Sequence, residues 1–146
     1  MGRLHDIRVK SEVFVANMNV HIANSIKQTE QQLIELNRKQ MLSSVDSENK
    51  PLIHARTGSP NLSLAYAKRK GKSKPNLFDT GQFQGEMLLE VNENNSSWFI
   101  DSYNRISKFI VENYGSKTFG IFNTQRAKEL TGVVFKRLYN SLVLGK

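Results

Sequence analysis

Residues 12–42, EVFVANMNVHIANSIKQTEQQLIELNRKQML, form the stretch that decides the fold. Its apolar positions, with one threonine among them, recur at steps of three and four, which is the spacing of one face of an α-helix. They are Val15, Met18, Ile22, Ile26, Thr29, Leu33 and Leu36. This spacing predicts one long amphipathic helix over residues 12–42. The β-branched start, VFVANMNV, leaves an extended conformation as the alternative for the first two turns.

Residues 43–76 lose the helical spacing and are rich in turn formers, as in SSVDSENKP and KGKSKPN. Basic residues accumulate here, and no acidic residue occurs between positions 50 and 78. The basic residues are Lys50, Arg56, Lys68, Arg69, Lys70, Lys72 and Lys74. They supply all but one of the eight net positive charges of the chain. The pattern predicts a long basic loop or arm over residues 43–76, in which LSLAYAKR allows a short helical turn.

A block of like charge suits an anionic surface, which is either a phosphate backbone or an acidic protein face. The seven basic residues are therefore the candidate contacts with a partner or a nucleic acid. The alternative is a solvated loop that contributes only solubility. Tyr66 is the one tyrosine, tryptophan or phenylalanine among these residues, which argues against a stacking platform for single-stranded nucleic acid.

The rest of the chain predicts a β-hairpin region over residues 77–102 and a helical part over residues 103–146. The second half of QFQGEMLLEV and the run SSWFIDS have strand composition, and NENN between them is a turn. NRISKFIVENYG predicts a short helix that ends at Gly115. TQRAKELTGVVFKRLYNSLV predicts a longer helix, with Asn123 or Thr124 as its N-cap. A chain of 146 residues suits a single domain, residues 1–146.

Composition excludes several classes of protein. The chain has no cysteine, so a disulfide scaffold, thiolate catalysis and cysteine-ligated zinc are excluded. The first residues, MGRLHDIRVK, lack the apolar core of a secretory signal. No window is apolar enough for a membrane span, so we expect a soluble protein with no membrane partner.

Asp79-Thr80-Gly81 matches the triplet that carries the catalytic carboxylate of retroviral-type aspartic proteases. Such an enzyme needs two carboxylates that share a proton, hence a symmetric dimer, in a mostly β structure. In those proteases a small residue follows the triplet, whereas Gln82 and Phe83 follow it here. The protease is therefore a remote alternative. The favoured interpretation is a structural turn that launches the next strand.

Other motifs do not support an enzyme. Gly71-Lys72-Ser73 resembles the end of a phosphate-binding loop, but Tyr66 stands where that motif requires glycine. The three histidines are far apart in the sequence and have no carboxylate at ligand spacing. We therefore expect no catalytic, metal or cofactor residues.

Three runs carry a family resemblance: LNRKQMLSSVDSENKPL, AYAKRKGKSKPNLFDTGQFQGEM and YGSKTFGIFNTQRAKEL. Together they resemble small virion proteins of tailed phages that infect gut bacteria, related to the virion-morphogenesis and tail-completion proteins. The resemblance covers roughly residues 33–130. The sequence departs from the family pattern at two places. SSVDSEN lacks the glycines expected in the turn after the helix, and IFNTQ replaces the usual ending of its motif.

The resemblance implies an α+β fold in which the long N-terminal helix and the C-terminal helix pack on a small curled antiparallel sheet. It also implies a non-enzymatic subunit of a homo-oligomeric ring at the head-to-tail junction of a virion, assembled in the bacterial cytoplasm. Its expected partners are copies of itself, adjacent connector or tail proteins, and packaged DNA. The alternative is a small basic DNA-binding module. Apolar residues expected to bury the sheet against the first helix are Phe78, Phe83, Met87, Leu88, Leu89, Trp98 and Phe99.

Overall fold

The computed structural model describes residues 2–94, 97–122 and 125–144. Helices flank one two-stranded antiparallel sheet, which confirms the predicted α+β fold. The helices are α1 (Gly2–Ala16), α2 (Met18–Lys27), α3 (Glu30–Leu42), α4 (Leu64–Lys70), α5 (Gln82–Gly85), α6 (Ile106–Tyr114) and α7 (Gln125–Leu144). The strands are β1 (Met87–Val91) and β2 (Trp98–Ser102), and a short 3-10 helix spans Ser116–Thr118.

The prediction of one helix over residues 12–42 is wrong in its extent and its continuity. Helix begins at Gly2 and is interrupted at Asn17 and at Gln28-Thr29, so it forms α1, α2 and α3. The Asn17 side chain donates a hydrogen bond to the Val13 carbonyl at 2.8 Å, and the Thr29 hydroxyl donates to the Ile26 carbonyl at 2.8 Å. Polar side chains that bond to the preceding turn compete with the helical ladder and bend it. The β-branched start is helical rather than extended.

Of the predicted stripe, Ile26, Thr29 and Leu33 are buried, whereas Leu36 and the members before Ile26 are not. Val15, at the start of the stripe, is 65% exposed, whereas its neighbour Phe14 is buried and stacks on the His21 ring at 4.6 Å. Among the described side chains of residues 5–42, those that are buried are Phe14, Ala23, Ser25, Ile26, Thr29, Leu33, Ile34, Asn37 and Met41. The buried face therefore differs from the predicted stripe most clearly in the first helix.

The sheet pairs Met87 with Ser102 at one end and Val91 with Trp98 at the other. β1 packs against α2 and α3, while α7 packs mainly against α2. The core joins these layers through Ile34, Met41, Phe83, Met87, Ile100 and Ile110. Phe83 and Met87 are buried as expected, but Phe78, Trp98 and Phe99 are exposed by 42%, 37% and 54%. The prediction that these three aromatic residues are covered by the first helix is wrong. Trp98 and Phe99 lie on a two-stranded sheet, which leaves much of its surface open, and Phe78 lies before α5, outside the sheet.

The segment between α6 and α7 is tied to α3 by polar side chains. The Asn37 amide donates to the Thr118 carbonyl at 3.1 Å and to the Gly120 carbonyl at 2.6 Å. Gln40 both donates to the Gly120 carbonyl and accepts from the Phe122 amide. Helix α6 ends before Gly115, whose φ of 85° favours glycine. The N-cap predicted for α7, Asn123 or Thr124, lies outside the described residues.

Candidate functional site: the basic segment and an aromatic cleft

The basic segment, residues 50–74, consists of two structurally different halves. In the anchored half (residues 50–62), Leu52 is 1% exposed and its amide donates to the Ser44 carbonyl at 2.9 Å. The Ala55 amide donates to the Asn113 carbonyl at 2.7 Å, which fastens this half to the end of α6. The exposed half (residues 63–74) contains α4, which has no buried residue. The predicted loop is therefore an irregular chain held on the body, with one short helix at its exposed end.

Helix α4 has a defined beginning and end. The Ser63 hydroxyl accepts the Tyr66 amide at 3.4 Å, as an N-cap does, and Gly71 ends the helix at φ 67°. The Leu62 amide donates to the Ser73 carbonyl at 2.7 Å, which joins the two ends of the segment that contains α4. Gly71-Lys72-Ser73 therefore follows a helix, whereas a phosphate-binding loop precedes one.

Lys50, the first predicted contact residue, is engaged within the protein. Its ammonium group lies 2.7 Å from the Glu48 carboxylate, which also pairs with Lys117. The hydrogen bond from Lys117, followed by the one from Lys50, lowers the pKa of Glu48 to about 2. The same pairing with Glu48 raises the pKa of Lys50. Lys50 thus helps to fasten the loop to the segment that follows α6.

The other predicted contact residues form no ion pair with any described residue. They are Arg56, Lys68, Arg69, Lys70, Lys72 and Lys74. The Arg69 guanidinium lies 4.8 Å from the centre of the Tyr66 ring, and the Lys70 ammonium lies 5.7 Å from it. These distances are within the range of cation–π attraction, which leaves both charges available to an anion. Five of these six cations lie in the exposed half, and Arg56 lies in the anchored half.

A cleft of about 580 Å³ lies between the anchored half, α4 and α6. Its lining residues are His54, Thr57, Ser59, Asn61, Leu62, Ser63, Tyr66, Pro75, Phe109 and Tyr114. We call it the aromatic cleft. The His54 and Tyr114 rings meet edge to face with their centres 5.5 Å apart. Burial, with a smaller effect of Tyr66, raises the pKa of Tyr114.

The aromatic cleft is the part of the site that the sequence analysis missed. Tyr66 is the one aromatic residue that lies among the basic residues in the sequence. The fold brings Phe109 and Tyr114 from α6 to the same cleft. Phe109 is 59% exposed, although it lies on a helix whose Ile110 is buried in the core. A single sequence carries no signal that these residues line one cleft, because their proximity depends on how the anchored half crosses α6.

Asp79, Thr80 and Gly81 lie in an exposed bend, and Gly81 has a φ of 86°. The expectation that this turn launches a strand is wrong, because the single turn of α5 follows it before β1 begins. The Thr80 hydroxyl accepts the Gln82 amide at 3.4 Å, and Gln84 donates from its side chain to the Leu77 carbonyl. Along the chain, Asp79 lies between irregular backbone and α5, whereas the protease hypothesis requires β structure around the carboxylate.

A second depression, the apolar groove, lies between α2, α3 and α7 and has a volume of about 400 Å³. Its lining residues are Ile22, Ile26, Thr29, Leu33, Trp98, Ile121, Thr131, Val134, Phe135 and Leu138. Phe135 and Trp98 are the large aromatic side chains at this groove, and they are 66% and 37% exposed. The groove therefore presents apolar surface that the described chain leaves partly uncovered.

The described residues offer neither a metal cluster nor a membrane-spanning helix. No three His, Cys, Asp or Glu side chains gather closely enough to hold a metal ion within the described ranges. None of the helices traced in those ranges is long and apolar enough to cross a membrane. Comparisons of the chain with protein-family models, with curated proteins and with solved structures gave no match.

Proposed function

We propose that this chain is a non-enzymatic structural subunit of a tailed-phage virion, placed at the head-to-tail junction as a member of a homo-oligomeric ring. Its proposed neighbours are other copies of the chain and the adjacent connector or tail proteins, and the basic segment faces packaged DNA. The virion is its proposed location, after assembly in the bacterial cytoplasm. The proposal joins the resemblance of three sequence runs to the distribution of charge in the structure.

The observation that carries the proposal is the display of cations on the basic segment. Six basic side chains have no acidic partner among the described residues, while backbone hydrogen bonds hold the segment to the body. A protein that only needed solubility would gain as much from mixed charges, and uncompensated like charges repel each other. An anionic partner relieves that repulsion, and DNA at the junction provides one.

The apolar groove supports the ring component of the proposal. A ring requires each subunit to offer two different surfaces that fit each other on neighbouring copies. The groove provides a concave apolar surface, and Phe78 and Phe99 provide exposed apolar side chains elsewhere on the molecule. Interfaces are enriched in aromatic residues of this kind.

The test is particle assembly in the absence of the chain. We expect heads filled with DNA and separate tails, and we expect wild-type chain supplied in trans to restore joined particles. Electron microscopy counts joined and separate structures, and mass spectrometry of purified virions detects the chain. Joined, infectious particles that lack the chain would contradict the proposal.

The second candidate, a small basic DNA-binding module, is favoured by the same free cations. It predicts that the isolated chain binds duplex DNA, with an affinity that falls steeply as salt increases. Titration of a labelled duplex at several salt concentrations measures this slope. Tight binding by the isolated chain, together with normal particles in its absence, would favour the DNA-binding module over the ring subunit.

A further inference from the structure

The aromatic cleft has the size and the walls of a ligand site. Its volume of about 580 Å³ lies within the roughly 300–1,000 Å³ that is common for small-molecule pockets. Tyr66, Phe109 and Tyr114 supply ring surfaces from two separate parts of the chain. Phe109 is 59% exposed, so its ring is open to a planar group. Planar aromatic ligands, including nucleobases, stack on surfaces of this kind.

Polar groups at the cleft remain able to bond to such a ligand. The Arg56 amide donates to His54 Nδ1 at 3.2 Å, so Nε2 is the ring nitrogen that remains available to a ligand. The Asn61 backbone amide bonds to Ser59, whereas the Asn61 side-chain amide has no hydrogen-bond partner among the described residues. A carboxamide offers both donors and an acceptor, the combination that reads the edge of a base.

Positive charge lies beside the ring surfaces. Arg69 and Lys70 sit over Tyr66 at 4.8 and 5.7 Å, and Arg56 belongs to the same turn as His54. None of the described residues that line the cleft is acidic. A ligand that places a planar ring against Phe109 and an anionic group near Arg69 therefore fits the site better than a neutral or a cationic one.

We propose that the aromatic cleft binds a nucleotide, with its base against the aromatic residues and its phosphate near Arg69 and Lys70. A free mononucleotide and an unpaired nucleotide of a single strand share this chemistry. The inference goes beyond the assembly role and does not depend on it, since the cleft is formed within one chain.

The experiment is a titration of the full isotope-labelled chain followed by amide NMR. The probes are deoxyadenosine 5′-monophosphate, deoxyribose 5-phosphate and a single-stranded oligothymidylate. We expect the mononucleotide to shift amide signals of residues 54–66 and 109–114, and the sugar phosphate to bind at least about ten-fold more weakly because it cannot stack. Saturation at a lower concentration of oligothymidylate than of mononucleotide would identify the single strand as the source of the ligand.

Variants separate the two parts of the site. Phe109→Ala should weaken mononucleotide binding about ten-fold, whereas Phe99→Ala, at a similarly exposed phenylalanine on β2, should leave it unchanged. Arg69→Gln with Lys70→Gln should weaken binding and reduce its salt dependence, while Lys128→Gln with Lys136→Gln on α7 serves as the charge control. Circular dichroism of each variant checks that the fold is retained.

Three results would overturn the proposal. One is the absence of amide shifts up to millimolar mononucleotide. Another is equal binding of the sugar phosphate and the mononucleotide, which would show that the rings contribute nothing. The last is shifts located outside the cleft, or equal losses in the Phe109 and Phe99 variants. Because the titration uses one isolated chain, its failure leaves the particle-assembly test unaffected.

Discussion

The anchored and exposed halves of the basic segment have opposite structural roles, and the exposed half carries five of the seven basic residues. The anchored half places Leu52 in the interior and bonds through Ala55 to the end of α6. The exposed half contains Leu64, which is 91% exposed, and α4 with no buried residue. One half determines where the segment lies, and the other presents charge to the surroundings.

This difference shows how a charged segment can be displayed without being disordered. Repulsion among like charges opposes packing, so few contacts are available to the exposed half itself. Attachment comes instead from one apolar residue, backbone hydrogen bonds and the Glu48 pairs in and beside the anchored half. Changes in the anchored half should therefore reduce stability, whereas changes in the exposed half should affect binding.

The largest expected effect is that of Leu52→Ala. Removing this buried side chain leaves a cavity and should lower the free energy of unfolding by about 2–4 kcal/mol. Leu64→Ala, at the exposed leucine of α4, is the matched control and should change it by less than about 0.5 kcal/mol. Urea denaturation followed by circular dichroism measures both variants. Equal losses would mean that the two halves do not differ as the structure indicates.

A smaller loss is expected at Gly81, in the bend through which the segment continues toward the sheet. Gly81 has φ 86°, and a side chain added there would lie 3.3 Å from the Phe78 ring. Gly81→Val should therefore lower the free energy of unfolding by about 1–2 kcal/mol or somewhat more. Gly81→Asn should cost less, because asparagine tolerates this region. Thermal denaturation compares the two variants with Asp79→Asn, which is expected to be nearly neutral and to leave assembly intact. A large loss of stability in Asp79→Asn would show that this carboxylate stabilises the bend, contrary to the expectation.

A pH dependence should come from Glu48 beside the anchored half. Because Lys117 and Lys50 hold its folded pKa at about 2, below the ordinary value of 4.5, the charged form stabilises the fold above pH 4.5. That contribution is lost as the pH falls from 4.5 toward 2. Glu48→Gln should therefore have a shallower decline of the unfolding midpoint over this range than the wild-type chain. Parallel declines in the two proteins would contradict the assignment.

The smallest effect on stability is expected for the triple variant Lys68→Gln, Lys72→Gln and Lys74→Gln. These exposed side chains make no ion pair with described residues, so the free energy of unfolding should change by less than about 0.5 kcal/mol. If all three contact phosphates, the slope of log affinity for duplex DNA against log salt should fall by about 3. Lys10→Gln, Lys128→Gln and Lys136→Gln form the control. An equal change of slope in the control would mean that only net charge matters.

Local features of the fold were predictable because they depend on neighbouring residues. Helical spacing over residues 12–42 identified the region that contains α2 and α3, and Gly115 marked the end of α6. The breaks at Asn17 and Thr29 were missed, since both residues are tolerated in helices and act here through side-chain bonds to the preceding turn. The helical turn after Gly81 was missed because QFQG alone has no helical signal.

The candidate site was predictable in its charge and not in its shape. The sequence located every basic residue of the segment, but it did not reveal that Glu48 engages Lys50 while Arg69 and Lys70 lie over Tyr66. It also placed the phenylalanine and tyrosine of α6 in a helix without relating them to the basic residues. Both sets of contacts depend on the path that the anchored half takes across the body, and the sequence alone does not reveal that path.

The sequence by itself determined the helical character of residues 12–42, the region of the β-hairpin, the absence of cysteine chemistry and the position of the charge block, because periodicity and composition act locally. Only the tertiary structure decided which cations are free, which half of the basic segment is buried at Leu52, and that His54, Tyr66, Phe109 and Tyr114 line one cleft. The physical reason is that these properties depend on contacts between distant parts of the chain, and such contacts are set by the packing of the whole molecule.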